Sequence, residues 1–202
     1  MKTKSTTSHQ HSQHLIAGLL QNDPGIEFYG IPASKEVQWI QNGKSHKFQE
    51  LPKEIFTILA NAYNSNNAAK MIFKTEKFPI SFRRRVELYT YFIYGGCDGV
   101  PDFVDGKLQD PENYRHSNDC ISLGFKKIKL NGSPLKNREI RMIDLMMQDP
   151  DAKDDVLALK MGLATSTYNQ HKRELFDKTG IQSKTGIMIA ALRQRVARSF
   201  SY

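Results

Sequence analysis

The spacing of apolar and polar positions divides the chain into predicted elements. Residues 14–20 offer a short helix that stops before Asp23-Pro24-Gly25. Residues 36–41, Asn42-Gly43 and residues 44–50 read as a β-hairpin, because Asn-Gly favours the tight turn that matches strand twist. Trp39 and Phe48 are candidates for its buried contacts. After Leu51-Pro52, the positions Ile55, Phe56, Leu59, Ala60 and Tyr63 repeat at helical spacing, and a second helix over 81–94 carries Phe82, Val86, Tyr89, Phe92 and Ile93. Residues 103–134 are rich in Asp, Asn, Gly and Pro and predict an irregular connector packed on the N-terminal part. Beyond it, Val156, Leu157, Leu159 and Met161 surround Ala158 in a short helix closed at Gly162, with Leu163 plugging the corner. Ala164-Thr165-Ser166 offers hydroxyls for capping the helix that follows.

That next helix, over 165–178, has two unlike sides. At about 100° per residue, Tyr168, Leu175 and Thr179 share one side, flanked by His171 and Lys172. The opposite side carries Ser166, Gln170, Arg173 and Asp177, with Asn169 at its margin. Two helices joined this way form a helix-turn-helix pattern, in which the second helix lies in the DNA major groove. Asn and Gln pair in bidentate fashion with adenine there, and Arg with guanine. Periodicity alone weighs this reading equally with an ordinary solvated helix face.

The C-terminal segment resembles the LuxR-type helix-turn-helix of quorum-sensing and NarL-like regulators. Leu135, Arg138 and Glu139 match its opening, Ala158 and Gly162-Leu163 its middle, and Thr167 and His171 its third helix. The most specific match is Lys178-x-Gly180-Ile181-x-Ser183-Lys184-Thr185. The chain departs from the family at Lys136-Asn137, where Thr-Pro is usual, at Val156, where Glu is common, and over 148–153, which runs about two residues long, as a surface loop tolerates. The resemblance implies a four-helix module with Asn169, Gln170 and Arg173 contacting bases. Thr167 and Lys184 then contact the DNA backbone. Lys172 departs from the family at a place usually apolar, so its stem is expected to pack while its ammonium reaches solvent or phosphate. The family's fourth helix forms the dimer contact, which falls here on Ile187, Met188 and Ala191. In the predicted helix 183–198, Ile187, Ala191 and Gln194 make one stripe and Ile189, Leu192 and Val196 another, so the alternative is that both pack inside one chain. The run Tyr94-Gly95-Gly96-Cys97-Asp98-Gly99-Val100-Pro101-Asp102 is similar to a segment preceding the same module in small regulators of Bacteroidota-type bacteria and their mobile elements, where the connector can be richer in cysteine.

With 202 residues, the chain accommodates two domains. The expected organisation is mostly α: a disordered tail over 1–13, a small α+β domain with a β-hairpin over 14–102, the connector over 103–134, and a four-helix LuxR-type domain over 135–202. A net charge of +8 suits a nucleic-acid partner and would equally suit an anionic surface. No apolar run approaches the roughly 20 residues needed to span a bilayer, and the first residues lack a signal-peptide core, so the expected location is cytoplasmic. Cys97 and Cys120 are too few for a disulfide framework. Joined to His116 and to Asp98 or Asp119 they match no compact zinc spacing, so neither a metal nor another cofactor is expected. His9, His11 and His14 belong to a polar tail. Arg83-Arg84-Arg85 point in different directions on a helix and read as a solvated face rather than a phosphate clamp. Residues 94–102 lack the Lys and Ser/Thr of a phosphate loop. A phosphoacceptor pattern is absent, and no nucleophile is paired with a base, so no enzyme is expected. The expected function is a sequence-specific transcriptional regulator, dimeric on duplex DNA. The alternative is a mobile-element adaptor that binds DNA without strong preference.

Overall fold

The computed structural model describes residues 16–74 and 80–197. The expected tail, with His9, His11 and His14, lies outside the described residues, as do residues 198–202. The described residues form seven α-helices and a small antiparallel sheet, a mixed architecture rich in helix. None of these helices is long and apolar enough to cross a membrane.

The sheet has three strands in sequence order: β1 (Glu27–Ile31), β2 (Glu36–Gln41) and β3 (Lys44–Lys47). Asn42 and Gly43 both take positive φ, 50° and 75°, as the tight primed turn requires. The expected hairpin is therefore present, although its second strand ends at Lys47 and residues 48–50 form a 3-10 turn. β1 was not expected. Gly30 interrupts its apolar pattern for a packing reason: a Cβ there would fall 2.4 Å from the Tyr91 ring. Residues 16–20 form turns rather than the expected short helix, and residues 14–15 lie outside the description.

α3 (Phe82–Tyr94) packs on the sheet, α1 (Lys53–Ser65) packs against α3, and α2 (Asn67–Lys74) packs against α1. Ser81 caps α3 by accepting from Arg84 N–H at 3.2 Å. Phe28, Trp39, Phe48, Leu59, Phe73, Tyr91 and Phe92 fill the first core. The three arginines point in different directions on α3, but the expected solvated face is corrected: all three are half-buried, Arg84 pairing with Glu87 at 2.8 Å and Arg83 donating to the Gln49 carbonyl at 2.9 Å.

The connector holds two minimal hairpins, β4 (Phe103–Val104) with β5 (Lys107–Leu108) and β6 (Lys129–Leu130) with β7 (Ser133–Pro134). It serves both cores, since Cys120 joins the first while Ile128 and Leu130 join the second. That second core is shared by α4 (Asn137–Gln148), α5 (Asp154–Met161), α6 (Thr165–Thr179) and α7 (Lys184–Arg193). Arg115 bolts the connector to them. Its guanidinium donates to both Asp144 oxygens on α4, at 2.6 and 3.0 Å, and to the Val196 carbonyl beyond α7 at 2.7 Å.

Candidate nucleic-acid interface

α5 and α6 meet at a turn set by one backbone conformation. Gly162 ends α5 at φ 70° and ψ 33°, and Leu163 N–H then donates back to the Ala158 carbonyl at 2.9 Å. A Cβ on Gly162 would meet nothing within 4 Å, so glycine is required for its φ and not for space. Leu157 and Ala158 on α5 are buried, together with Tyr168, Leu175 and Thr179 on α6. The small Ala158 side chain lets the two helices approach.

With that side buried, the opposite side of α6 is displayed. Ser166, Asn169, Gln170, Arg173, Glu174 and Asp177 line one shallow open groove. Asn169, Gln170 and Arg173, the three expected base readers, are all exposed. Arg173 has no hydrogen bond or ion pair among the described residues. Two acids share its face, and one is engaged: Glu174 pairs with Arg138 at 3.0 Å and accepts from Gln170 Nε2 at 3.2 Å.

The start of α6 differs from the expected capped helix. Ala164 occupies the cap position and has no side chain to accept, so the amides of Thr165, Ser166 and Thr167 meet no acceptor among the described residues. The expected hydroxyls lie inside the first turn instead. Unpaired amides at a helix N-terminus attract anions, phosphate included.

Of the expected backbone-contacting residues, Thr167 is half-buried in that first turn. Both lysines are committed within the chain. Lys172 Nζ pairs with Asp154 Oδ2 on α5, and Lys184 Nζ donates to the carbonyls of Pro150 and Ala152 at 2.7 Å each. The long loop between α4 and α5 leaves those carbonyls without helical partners, and the lysine at the start of α7 supplies them. Lys136-Asn137 also proves workable as a helix start. Glu139 Oε2 accepts from Lys136 N–H at 2.7 Å and from Lys178 Nζ at 2.8 Å, tying the first turn of α4 to the last of α6.

The expected dimer contacts are corrected in two of three positions. Ile187 and Ala191 have 0% exposure because α7 lays that stripe against α4 in the chain's own core. Met188 is half-buried. The apolar surface that α7 leaves to solvent is Ile189, 45% exposed, and Leu192, 53% exposed. Sequence alone gave two stripes and no means of choosing between them.

Cys120 Sγ lies 3.2 Å from His116 Nδ1 and 3.0 Å from Ser122 Oγ. Among the described residues, Cys97, His116, Cys120, Asp98 and Asp119 do not supply three ligand atoms within 4.8 Å of one another. Comparisons with models of known families, with curated proteins and with solved structures found no match to this chain.

Proposed function

We propose that the chain is a sequence-specific DNA-binding transcriptional regulator of the LuxR-type helix-turn-helix class, reading the major groove with α6. The observation that carries this reading is the division of α6 into a buried side and an open side bearing Asn169, Gln170 and Arg173. Those three side chains match the bidentate patterns of adenine and guanine, and Arg173 is uncommitted. The unpaired amides of Thr165, Ser166 and Thr167 support the same pose, since phosphate contacts at a helix start fix register on the duplex. Lys172 and Lys184 hold the module together in this reading, and Arg173 with the α6 N-terminus meets the DNA.

On a two-fold site, Met188, Ile189 and Leu192 form the contact between copies, presenting two α6 helices to half-sites about 34 Å apart. The test is binding of the full chain to defined duplexes at several salt concentrations, with sites drawn from a random pool. A regulator binds its selected duplex at least about a thousandfold more tightly than random duplex. Uniform, strongly salt-dependent binding across all duplexes would support the adaptor instead.

A further inference from the structure

The N-terminal half contains a carboxylate cluster that the DNA-binding reading does not use. Glu27 opens β1 with 0% exposure, Glu112 lies in the connector with 9%, and Asp98 is half-buried in the loop after α3. One oxygen from each lies within 4.8 Å of the others. Among the described residues, no ion pair reaches any of the three. Arg195, beside Glu27, spends its Nη1 on the carbonyls of Gly96 and Cys97 at 2.7 and 2.8 Å, and Lys126, near Glu112, donates to the Phe92 carbonyl.

Hydrogen bonds satisfy only half of the buried pair. Glu27 Oε1 accepts from Gly99 N–H at 3.1 Å and Glu112 Oε2 from Gly96 N–H at 2.7 Å. Glu27 Oε2 and Glu112 Oε1 are buried and accept from nothing. Orphaned carboxylate oxygens in a protein interior are strongly unfavourable unless a cation or a proton meets them.

We propose that Glu27, Asp98 and Glu112 bind one hard divalent cation, of the calcium or magnesium class, at the junction of the two cores. The donors are all carboxylate oxygens, which suits hard cations. Oxygens on opposite sides of a calcium ion at its usual bond lengths stand about 4.6 to 5.2 Å apart, the scale of this cluster. The ion has a way in, because Asp98 and Glu112 line a cavity of about 480 Å³ between the connector and the end of α7. Burial first, and then the neighbouring carboxylates, push the Glu27 carboxyl up to about 7 and that of Glu112 up to about 8, with Arg195 and Lys126 offsetting only part of it. A Cβ on Gly96 would fall 2.6 Å from Glu112 Oε2, so glycine is needed for the loop to approach that carboxylate. Because the same loop carries the carbonyls that hold Arg195, a bound ion stiffens the joint between the two halves.

The test is calorimetric titration of the chelator-treated full chain with calcium, magnesium and zinc chlorides, paired with thermal melts. Calcium or magnesium binds one-to-one with a Kd of about 10⁻⁶ to 10⁻⁴ M and raises the melting midpoint. Asp98→Asn, at a half-buried loop position, retains the fold and weakens binding by more than about tenfold. Glu112→Gln weakens it similarly. The proposal is overturned if the folded chain gives neither heat nor a midpoint shift with calcium or magnesium up to about 10 mM. It is equally overturned if binding is unchanged by Asp98→Asn, or if zinc alone binds.

Discussion

Replacing Arg115 by alanine removes three charge-assisted hydrogen bonds at once, two to Asp144 and one to the Val196 carbonyl. The side chains are 1% and 7% exposed, so water cannot take over the lost partner. Asp144 is left charged and buried on α4, and the end of α7 loses the tie that positions it. Breaking one side of a buried pair costs about 3 to 5 kcal/mol, against a whole-domain stability of roughly 5 to 15 kcal/mol. Urea unfolding of the full chain, followed by amide resonances in α4 and α7, measures the loss. The double variant Arg115→Met with Asp144→Leu recovers most of it, because no charge then remains buried. A single-variant loss below about 1 kcal/mol, or a double variant as unstable as the sum of its parts, would refute the view that this pair clamps the connector to the helices.

Gln170→Ala and Arg173→Ala each weaken specific binding by about 1 to 3 kcal/mol in gel-shift titrations, with unfolding midpoints unchanged. Leu192→Glu, at an exposed position, leaves half-site affinity intact and removes cooperativity on a two-fold duplex, as sedimentation with DNA would register. Gly162→Ala lowers stability by about 1 to 2 kcal/mol through its positive φ alone, read by thermal melting. Burial holds the Lys126 ammonium down at about 8, against the opposing pull of Glu112 and Cys120 and with the push of Arg115. Its folded value lies below the unfolded 10.5, so the unfolded chain holds the extra proton between these values and this lysine's contribution to stability rises with pH from about 8 to 10.5. Lys126→Met flattens that rise in pH-dependent urea titrations.

The turn at Gly162 and the two sides of α6 were legible because they are local: a helix period and one left-handed glycine specify them. The hairpin at Asn42-Gly43 was legible for the same reason. β1 was not, since Gly30 is a strand breaker until the Tyr91 ring explains it. α2 escaped because it buries little beyond Ala69 and Phe73, and its start depends on Asn66 Oδ1 accepting from Ala69 N–H at 3.0 Å. Which stripe of α7 faces inward, and where the Lys172 and Lys184 ammoniums end, are decided by α4, α5 and the loop between them. Glu27 and Glu112 stand 85 residues apart in sequence, and the bridges from Ile26 to Phe103 and from Tyr29 to Gly96, with the fold of the connector, bring them together.

Selection from a random duplex pool, run with the parent chain and Arg173→Ala side by side, tests whether α6 reads base edges. One enriched motif is expected for the parent. Arg173→Ala enriches the same motif with preference lost at one base pair per half-site and retained elsewhere. An unchanged motif in the folded variant, or no enrichment by the parent chain, would contradict base reading by α6.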